Sequence, residues 1–168
     1  MKRALLLLLP ILAWALTTPA QAAGEFKDVP HSRDLRADSK LAASHQAPLM
    51  VVFTSPGCHY CAKVKSEYLI PMLNDVAYKD KVVIRQVQVG SDTELKGFDG
   101  KKLTEGEFAA DLNVFMVPTV KVFDAKGREV AKGIVGLLTE DFYQGFLDMA
   151  IEEGSKNIRQ GKAFAEDH

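Results

Sequence analysis

One stretch of this 168-residue chain decides its fold: Leu49-Met50-Val51-Val52-Phe53-Thr54-Ser55-Pro56-Gly57-Cys58-His59-Tyr60-Cys61. The first five residues form a continuous apolar run, which is typical of a strand that is buried on both faces. The three residues before the first cysteine are turn formers. After the second cysteine, residues 62–74 carry apolar side chains near helical spacing, and Pro71 among them predicts a kinked or split helix. The pattern indicates a buried strand, a short loop and a helix.

The two cysteines are the only ones in the chain, and they lie where the loop enters the helix. Cys58 is predicted to occupy the first helical turn, where unpaired backbone N–H groups and the helix dipole stabilise a thiolate. Cys61 follows three residues later on the same helix face, so the two sulfurs can form a disulfide with little backbone movement. Cys58 is therefore predicted to attack a disulfide of a partner, and Cys61 to resolve the mixed disulfide.

Two other interpretations of the cysteine pair remain open at this point. A purely structural disulfide closes a loop of only four residues, which removes little chain entropy and stabilises weakly. A structural zinc site takes four ligands, and the chain has no second cysteine pair. His59 beside Cys58 and Cys61 could help to hold copper(I), which prefers thiolates. A non-enzymatic copper or zinc carrier is therefore an alternative function, whereas the oxidoreductase function requires no metal or other cofactor.

The charges of the chain nearly balance, with 21 Lys and Arg residues against 22 Asp and Glu residues and a formal net charge of −1. A nucleic-acid-binding protein would carry a basic excess or patch, so no nucleic-acid partner is predicted. Hydrophobic residues make up 47% of the chain, which is ordinary for a globular protein. Two cysteines are too few for a disulfide-rich secreted scaffold.

The amino terminus has the pattern of a secretory signal peptide. Lys2 and Arg3 precede an apolar run over residues 4–16, and Ala20-Gln21-Ala22 offers small residues for cleavage. The apolar run is short for a membrane span and contains Pro10. Residues 1–22 are therefore predicted to be a signal peptide and residues 23–168 one mature domain. Export would place the cysteine pair in an oxidising compartment, most simply a bacterial periplasm.

The segments before and after the cysteine motif carry weaker patterns. Residues 24–30 are predicted to form a loose leader, and residues 32–45 a weakly amphipathic helix with Ser32 as a possible N-cap. Residues 82–89 are rich in β-branched side chains and predict a second strand. Residues 90–102 are polar and predict a connector without regular structure.

The carboxyl-terminal half predicts two strands and two helices. Thr104 and Glu107 have the spacing of a capping box that opens a short helix. Residues 120–123 are predicted to form a third strand, and the turn over residues 124–127 leads to a partner strand that begins at Glu129.

The last helix is predicted to begin after Thr139, a potential N-cap, and the tail from Gly161 is predicted to fray. Its apolar face is predicted to comprise Phe142, Phe146, Leu147, Ala150 and Ile151. The order of elements predicts an α/β fold with a small mixed sheet. Central parallel strands and a carboxyl-terminal antiparallel hairpin make up this sheet, and helices flank it.

The cysteine motif and three later segments resemble the thioredoxin superfamily. Residues 53–61 are similar to its active-site strand, loop and helix, and Val117-Pro118-Thr119 is similar to its cis-proline loop. Gly133-Ile134-Val135-Gly136 resembles the segment before its last helix. Residues 97–104 are similar to a segment of SoxW-type periplasmic thioredoxins, which are associated with sulfur-oxidation operons. The resemblance covers residues 49–154 and implies a thioredoxin-like fold.

The resemblance also implies roles for individual residues. Cys58 matches the nucleophile and Cys61 the resolving cysteine, while Pro118 matches the cis-proline that faces the disulfide. Val117 and Thr119 beside it are implied to bind an extended substrate strand. His59 and Tyr60, between the cysteines, are implied to tune the site.

The partners implied are proteins that exchange disulfides and dithiols, together with a membrane redox donor or acceptor. One small domain is expected to be monomeric. Reduction of substrates is the favoured direction, and a periplasmic dithiol oxidase of the same fold is the alternative. No large helical insertion of the kind found in dedicated oxidases separates the motif from Pro118.

The sequence departs from reducing thioredoxins at one position that matters for proton transfer. Those proteins commonly have a buried acid six residues before the first cysteine, and this chain has Val52 there, with Thr54 where a tryptophan is common. Cys61 therefore lacks the usual proton acceptor. His31, His45 and His168 lie in weakly patterned segments, and the sequence assigns none of them a role.

Overall fold

The computed structural model describes residues 25–137 and 139–164, so the predicted signal peptide over residues 1–22 lies outside the described residues. The described part contains five α-helices and six β-strands. The helices are α1 (Leu35–Ser44), α2 (His59–Val64), α3 (Ile70–Asn74), α4 (Glu105–Asp111) and α5 (Glu140–Gln160). The strands are β1 (Leu49–Thr54), β2 (Val83–Gln88), β3 (Glu94–Lys96), β4 (Lys102–Thr104), β5 (Thr119–Phe123) and β6 (Ile134–Val135).

The main sheet has the strand order β2-β1-β5-β6, which confirms the predicted mixed α/β fold. Among the strands of the described residues, only β1 and β2 pair in parallel, whereas β5 runs antiparallel to β1 and to β6. The expected set of central parallel strands is therefore reduced to one pair. With seven residues, α4 is about 10 Å long, which is too short to return the chain along a strand of about 20 Å. The chain consequently enters β5 at the end of the sheet where β2 finishes.

The core lies on both faces of the sheet. All six residues of β1 are buried, as the apolar run predicts. Met50 and Val52 of β1 pack with α5 and the helical segments after the cysteines. Val51 and Phe53 face the opposite layer, which α1 and α4 cover. The strand that leads into the cysteine loop is therefore the most enclosed element of the fold.

The helix after the cysteines is split, as Pro71 predicts. A π-helical turn over Lys65–Leu69 separates α2 from α3, and the Ile70 N–H donates to the Lys65 carbonyl five residues earlier. Proline cannot donate a backbone hydrogen bond, and its ring clashes with the carbonyl four residues before it. The wider π turn makes room for the ring of Pro71 without ending the helical segment.

The segment before α1 is part of the sheet, so the prediction of a loose leader is wrong. Val29 is buried, the Gln86 N–H donates to the Pro30 carbonyl at 2.8 Å, and the Ser32 N–H donates to the Gln86 carbonyl at 3.0 Å. His31 consequently pairs in parallel with Gln86 as a bridge along the free edge of β2. Burial of Val29 and two backbone hydrogen bonds hold this segment in place.

The first helix begins later than predicted, with Asp34 and not Ser32 as its N-cap. Ser32 is held by its backbone bond to β2, and its hydroxyl donates to Asp38. Asp34 accepts a hydrogen bond from the Ala37 N–H at 2.8 Å and an ion pair from Lys96 at 3.0 Å. The Ala37 N–H, and then Lys96, hold the pKa of the Asp34 carboxyl below its usual value. The charged carboxylate is therefore more stable in the folded protein.

Replacing Asp34 by Ala is expected to lower the free energy of unfolding by about 1 kcal/mol near neutral pH, because α1 loses its cap. The pKa of Asp34 is lower in the folded protein than in the unfolded chain. Its negative charge therefore stabilises the fold above the unfolded pKa of about 4, and this stabilisation is lost as the pH falls through the folded pKa. Urea denaturation across this range would measure it. Asp34→Asn, which retains a capping oxygen, is the control and should lose little. Equal losses in both variants would contradict the capping role.

The predicted polar connector contains a hairpin, β3–β4, that the sequence analysis missed. The strands have three residues each, and Leu95 is the one fully buried side chain of the hairpin. Strands this short provide too little alternation for a sequence pattern. The capping box that follows is confirmed: Thr104 Oγ1 accepts from the Glu107 N–H at 3.0 Å, and Glu107 Oε2 accepts from the Thr104 N–H at 2.7 Å.

The carboxyl-terminal elements differ in detail from the prediction. The partner of β5 is β6, and Glu129 makes only a single bridge to Phe123. In α5, Phe142 and Phe146 lie on an exposed face, and the prediction of these two as core residues is wrong. Leu147, Ala150 and Ile151 are buried as predicted, and Tyr143 and Gly154 complete the buried face. Past α5, the Phe164 N–H donates to the Glu129 carbonyl at 2.8 Å.

Candidate active site

Cys58 and Cys61 form a disulfide, with their Cα atoms 5.2 Å apart. Cys58 is the N-cap of α2, and its Sγ accepts a hydrogen bond from the Cys61 N–H at 3.1 Å. Cys58 is partly exposed, whereas only 2% of the Cys61 surface is exposed. A partner can therefore approach the sulfur of Cys58, while Cys61 lies behind it.

An open cavity of about 500 Å³ adjoins the disulfide. Its polar lining comes from four parts of the chain. These residues are His31 from the edge segment (residues 29–32), Thr54 and Ser55 at the end of β1, His59 and Lys65 from the helical segments, and Gln86 and Gln88 from β2. Both cysteines also line it. The cavity therefore connects the buried sulfur of Cys61 with groups that can exchange protons or hydrogen bonds.

The inner side of the cavity is held by a network around Gln86. Its Nε2 donates to the Val29 carbonyl, and its Oε1 accepts from Lys65 Nζ at 3.4 Å. Lys65 also forms an ion pair with Asp28 at 2.9 Å. Burial raises the pKa of Asp28, but hydrogen bonds from Lys65 and from the Val29 N–H outweigh it and leave the pKa below its usual value. Lys65 is thus engaged by an ionised carboxylate.

His31 belongs to this cavity, although the sequence analysis assigned it no role. Its Nδ1 lies 3.2 Å from Oε1 of Glu105, whose side chain is 1% exposed, while the His31 side chain is 38% exposed. The two residues are 74 positions apart, and the edge segment and α4 bring them together. No local pattern in the sequence could have linked them.

The other residues between and near the cysteines have different surroundings. His59 and Tyr60 are both exposed, with their rings 5.9 Å apart in an edge-on arrangement. Tyr60 does not line the cavity, whereas His59 does. Lys63 pairs with Glu140 of α5. Of the two lysines near the motif, only Lys65 therefore adjoins the cavity.

The segment Val117-Pro118-Thr119 lies across from the cysteine loop. The peptide bond between Val117 and Pro118 is cis. Thr119 pairs with Phe53, so by continuing this antiparallel register Val117 lies beside the loop that leads to Cys58. The Pro118 carbonyl accepts from the Gly136 N–H at 2.7 Å. Within the part of the chain that the structure describes, the backbone N–H and C=O of Val117 have no hydrogen-bond partner.

Neither a metal site nor a membrane span is found in residues 25–137 and 139–164. No group of three or more His, Cys, Asp or Glu side chains in these ranges is arranged to hold a metal ion, and this includes Cys58, His59 and Cys61. No helix in the same ranges is long and apolar enough to cross a bilayer.

A sequence model of the thioredoxin-like domain matches residues 35–151. The chain belongs to this family. The match spans α1 to α5 and includes the cysteine pair and the cis-proline, so the expectation of a thioredoxin superfamily member is confirmed. The narrower similarity to the SoxW type stays a prediction. No curated protein sequence is significantly similar to the chain.

Solved thioredoxin structures are similar to this thioredoxin-like chain at low sequence identity. Thioredoxin O2 of Arabidopsis thaliana is 21% identical over 74% of this chain and 92% of its own, with a TM-score of 0.47. A thioredoxin of Malassezia sympodialis is 16% identical over 80% and 99%, with a TM-score of 0.50. The periplasmic thioredoxin SoxS of Paracoccus pantotrophus is 18% identical over 63% and 97%, with a TM-score of 0.45. At 16% identity, the Malassezia sympodialis structure shows the fold alone.

Family membership and the Cys58–Cys61 disulfide together support thiol–disulfide oxidoreductase activity. Thioredoxin-like proteins act on the disulfides of other proteins. The roles of Cys58, Cys61, His59, Tyr60 and the cis-proline segment stay predictions. The structure places the cysteines and His59 at one cavity and the cis-proline segment beside the cysteine loop.

Proposed function

We propose that this chain is an exported thiol–disulfide oxidoreductase that reduces disulfides in other proteins. The observation that carries the proposal is the unequal exposure of the two sulfurs at the end of a fully buried strand. Cys58 is accessible and caps a helix, and Cys61 is enclosed behind it. This arrangement suits attack by the outer cysteine and resolution by the inner one. A purely structural disulfide would gain nothing from the exposure of one of its two sulfurs.

An extended protein segment is the substrate that suits this surface. Val117 lies beside the cysteine loop with a backbone N–H and C=O that no described residue pairs with, and a substrate strand could pair with them. Three exposed apolar side chains belong to the segments that carry the cysteines and the cis-proline: Tyr60 at 59%, Phe115 at 78% and Met116 at 62%. Exposed apolar side chains on these two segments favour the binding of another protein.

The reaction in the reducing direction begins with the dithiol form. The Cys58 thiolate attacks one sulfur of the substrate disulfide, forms a mixed disulfide and releases the other substrate sulfur as a thiolate. Cys61, once deprotonated, attacks the Cys58 sulfur and releases the second substrate thiolate. The two protons of the enzyme dithiol end on the two substrate thiols. A membrane thiol donor would then return the enzyme disulfide to the dithiol.

Two features support the direction and the compartment. Between β2 and β5, a stretch that the structure describes completely, the chain forms only the β3–β4 hairpin and the seven-residue α4, and lacks the large helical insertion of dedicated oxidases. The amino-terminal pattern of two basic residues, an apolar run and small residues supports export to a periplasm. A monomer suits one domain of this size.

The reduction potential of the Cys58–Cys61 pair tests the proposed direction. The protein would be equilibrated in redox buffers, and its thiols alkylated and counted by mass, because the only tryptophan lies in the predicted signal peptide. A value near about −270 mV is expected, in the range of thioredoxins. A value near about −120 mV would instead indicate an oxidant with a strongly stabilised Cys58 thiolate, and the proposed direction would be wrong.

A further inference from the structure

We propose that His31, oriented by the buried carboxylate of Glu105, accepts the proton of Cys61 when that cysteine resolves the mixed disulfide. The inference rests on the proposed function and adds a residue that the cysteine motif does not contain. The residue that would usually accept this proton is missing, because the position is occupied by Val52, whose side chain is fully buried.

The sheet register places His31 in the same row as Val52, the position at which the usual acid is missing. His31 pairs with Gln86, and Gln86 pairs with Val52, so the three residues lie in one row across the sheet. Two strand spacings of about 5 Å separate the backbones of His31 and Val52. The cavity beside the disulfide is lined by His31, Gln86 and Cys61 together. His31 therefore reaches the cavity of Cys61 from the edge of the sheet, in the same row of the sheet as Val52.

Glu105 gives His31 a defined orientation. The carboxylate is almost completely buried, and His31 is its side-chain partner at 3.2 Å. A buried carboxylate requires a hydrogen-bond donor, so the proton of the neutral imidazole is assigned to Nδ1. Nε2 is then the free acceptor of the ring. In this scheme Glu105 is a positioning residue, since it acts on the reaction only through His31.

The other polar groups at the cavity are poorer proton acceptors. Lys65 is a cation paired with Asp28, and Asp28 itself does not line the cavity. Gln86 and Gln88 are neutral amides. His59 is the remaining titratable group at the cavity, but it is exposed, and in the described residues it has no carboxylate partner to orient it. Among the described residues that line the cavity, His31 is thus the one imidazole that a carboxylate holds in place.

Proton movement through His31 balances in both directions. During reduction of a substrate, Nε2 takes the proton from the Cys61 thiol, and the resulting thiolate attacks the Cys58 sulfur. The imidazolium then gives the proton to the departing substrate thiolate, directly or through water. In the reverse direction, Nε2 takes the proton of a substrate thiol, and the resulting thiolate attacks Cys58 of the oxidised protein. Cys61 leaves as a thiolate and receives that proton from His31.

Stopped-flow reaction of the reduced protein with a chromogenic aryl disulfide separates the two steps. The first aryl thiolate is released when Cys58 attacks, and the second when Cys61 resolves the mixed disulfide. In His31→Asn, whose amide can still donate to Glu105, the second phase is expected to slow by roughly tenfold or more near neutral pH, while the first is unchanged. The difference should disappear at alkaline pH, where the thiol ionises unaided. A purely structural role would not produce this pH profile.

The chain offers a matched control in His45. Its Nδ1 lies 3.1 Å from Asp80, and its side chain is 37% exposed, but it lines a different cavity. His45→Asn is therefore expected to leave both phases unchanged. Glu105→Gln, which removes the orienting charge and retains the shape, should slow the second phase in the same pH range as His31→Asn.

The outcomes separate this inference from the proposed function. An unchanged second phase in His31→Asn with a normal first phase would overturn the role of His31 alone. Slowing of the second phase in His59→Asn but not in His31→Asn would also overturn it. A wild-type protein that shows no first phase would overturn the proposed function and this inference with it.

Discussion

Replacing Cys58 by Ser is expected to abolish disulfide exchange. Cys58 is the partly exposed sulfur and caps α2, and a serine hydroxyl does not ionise to a nucleophile near neutral pH. Cys61 is the only other cysteine in the chain, and it cannot take the place of Cys58 because it is buried behind it. Reduction of a disulfide-linked protein such as insulin by the variant, with a chemical thiol as the electron source, should not exceed the rate of that thiol alone.

Replacing Cys61 by Ser should give the opposite phenotype, a stable adduct. Cys58 can still attack a partner disulfide, but the mixed disulfide has no resolving thiol and persists. Incubation with an oxidised partner, followed by mass measurement without reductant, should show a covalent complex. The control is the double variant in which both cysteines are serine, which should form none. Turnover at the wild-type rate in either single variant would contradict the proposed mechanism.

Replacing Val52 by Asp is expected to destabilise the protein by about 4 kcal/mol near pH 7. Val52 is fully buried between Gln86 and Val120 in the sheet. Burial disfavours a charged carboxylate and can raise its pKa by about three units or more, and each unit corresponds to about 1.4 kcal/mol. Val52, which replaces the usual acid, therefore stabilises the fold. Another group has to accept the proton of Cys61.

The pH dependence of this loss identifies its cause. Because the folded pKa of the new carboxyl is raised, its charge-related cost is absent below the unfolded pKa of about 4 and grows as pH rises towards the folded pKa. Urea denaturation of the oxidised protein at several pH values would measure it. Val52→Asn, which is similar in shape but does not titrate, should show a loss that does not change with pH. A pH-independent loss in the Asp variant would mean that a hydrogen-bond or ionic partner stabilises the new carboxylate.

Patterns among residues that are neighbours in sequence were sufficient to predict the local elements of the fold and the cysteine pair. A run of apolar residues specifies β1 because each of its positions faces one of two core layers. The capping box of Thr104 and Glu107 and the split at Pro71 follow from backbone chemistry within one or two turns. The cysteine pair was predicted for the same reason, since its spacing is set by a single helical turn.

Wrong predictions occurred where tertiary contacts override local preference. Ser32 looks like a helix cap, yet its N–H donates to β2 and Asp34 takes the role. Phe142 and Phe146 are as apolar as any core residue, but the contact of α5 with the sheet is centred on Tyr143 and Leu147. Small rotations of a helix exchange neighbouring positions between core and surface, and hydrophobicity alone cannot fix the rotation.

The fold family, the cysteine pair and the lack of an acid at position 52 could all be predicted from the amino-acid sequence. These are properties of adjacent residues or of residues one helical turn apart. The position of His31 at the cavity of Cys61, and its contact with Glu105, could be found only in the folded protein. That placement depends on backbone hydrogen bonds between the edge segment and β2, and on α4 reaching the same end of the sheet. Contacts over 74 residues leave no periodic trace in a single sequence, because either partner alone looks like an ordinary polar residue.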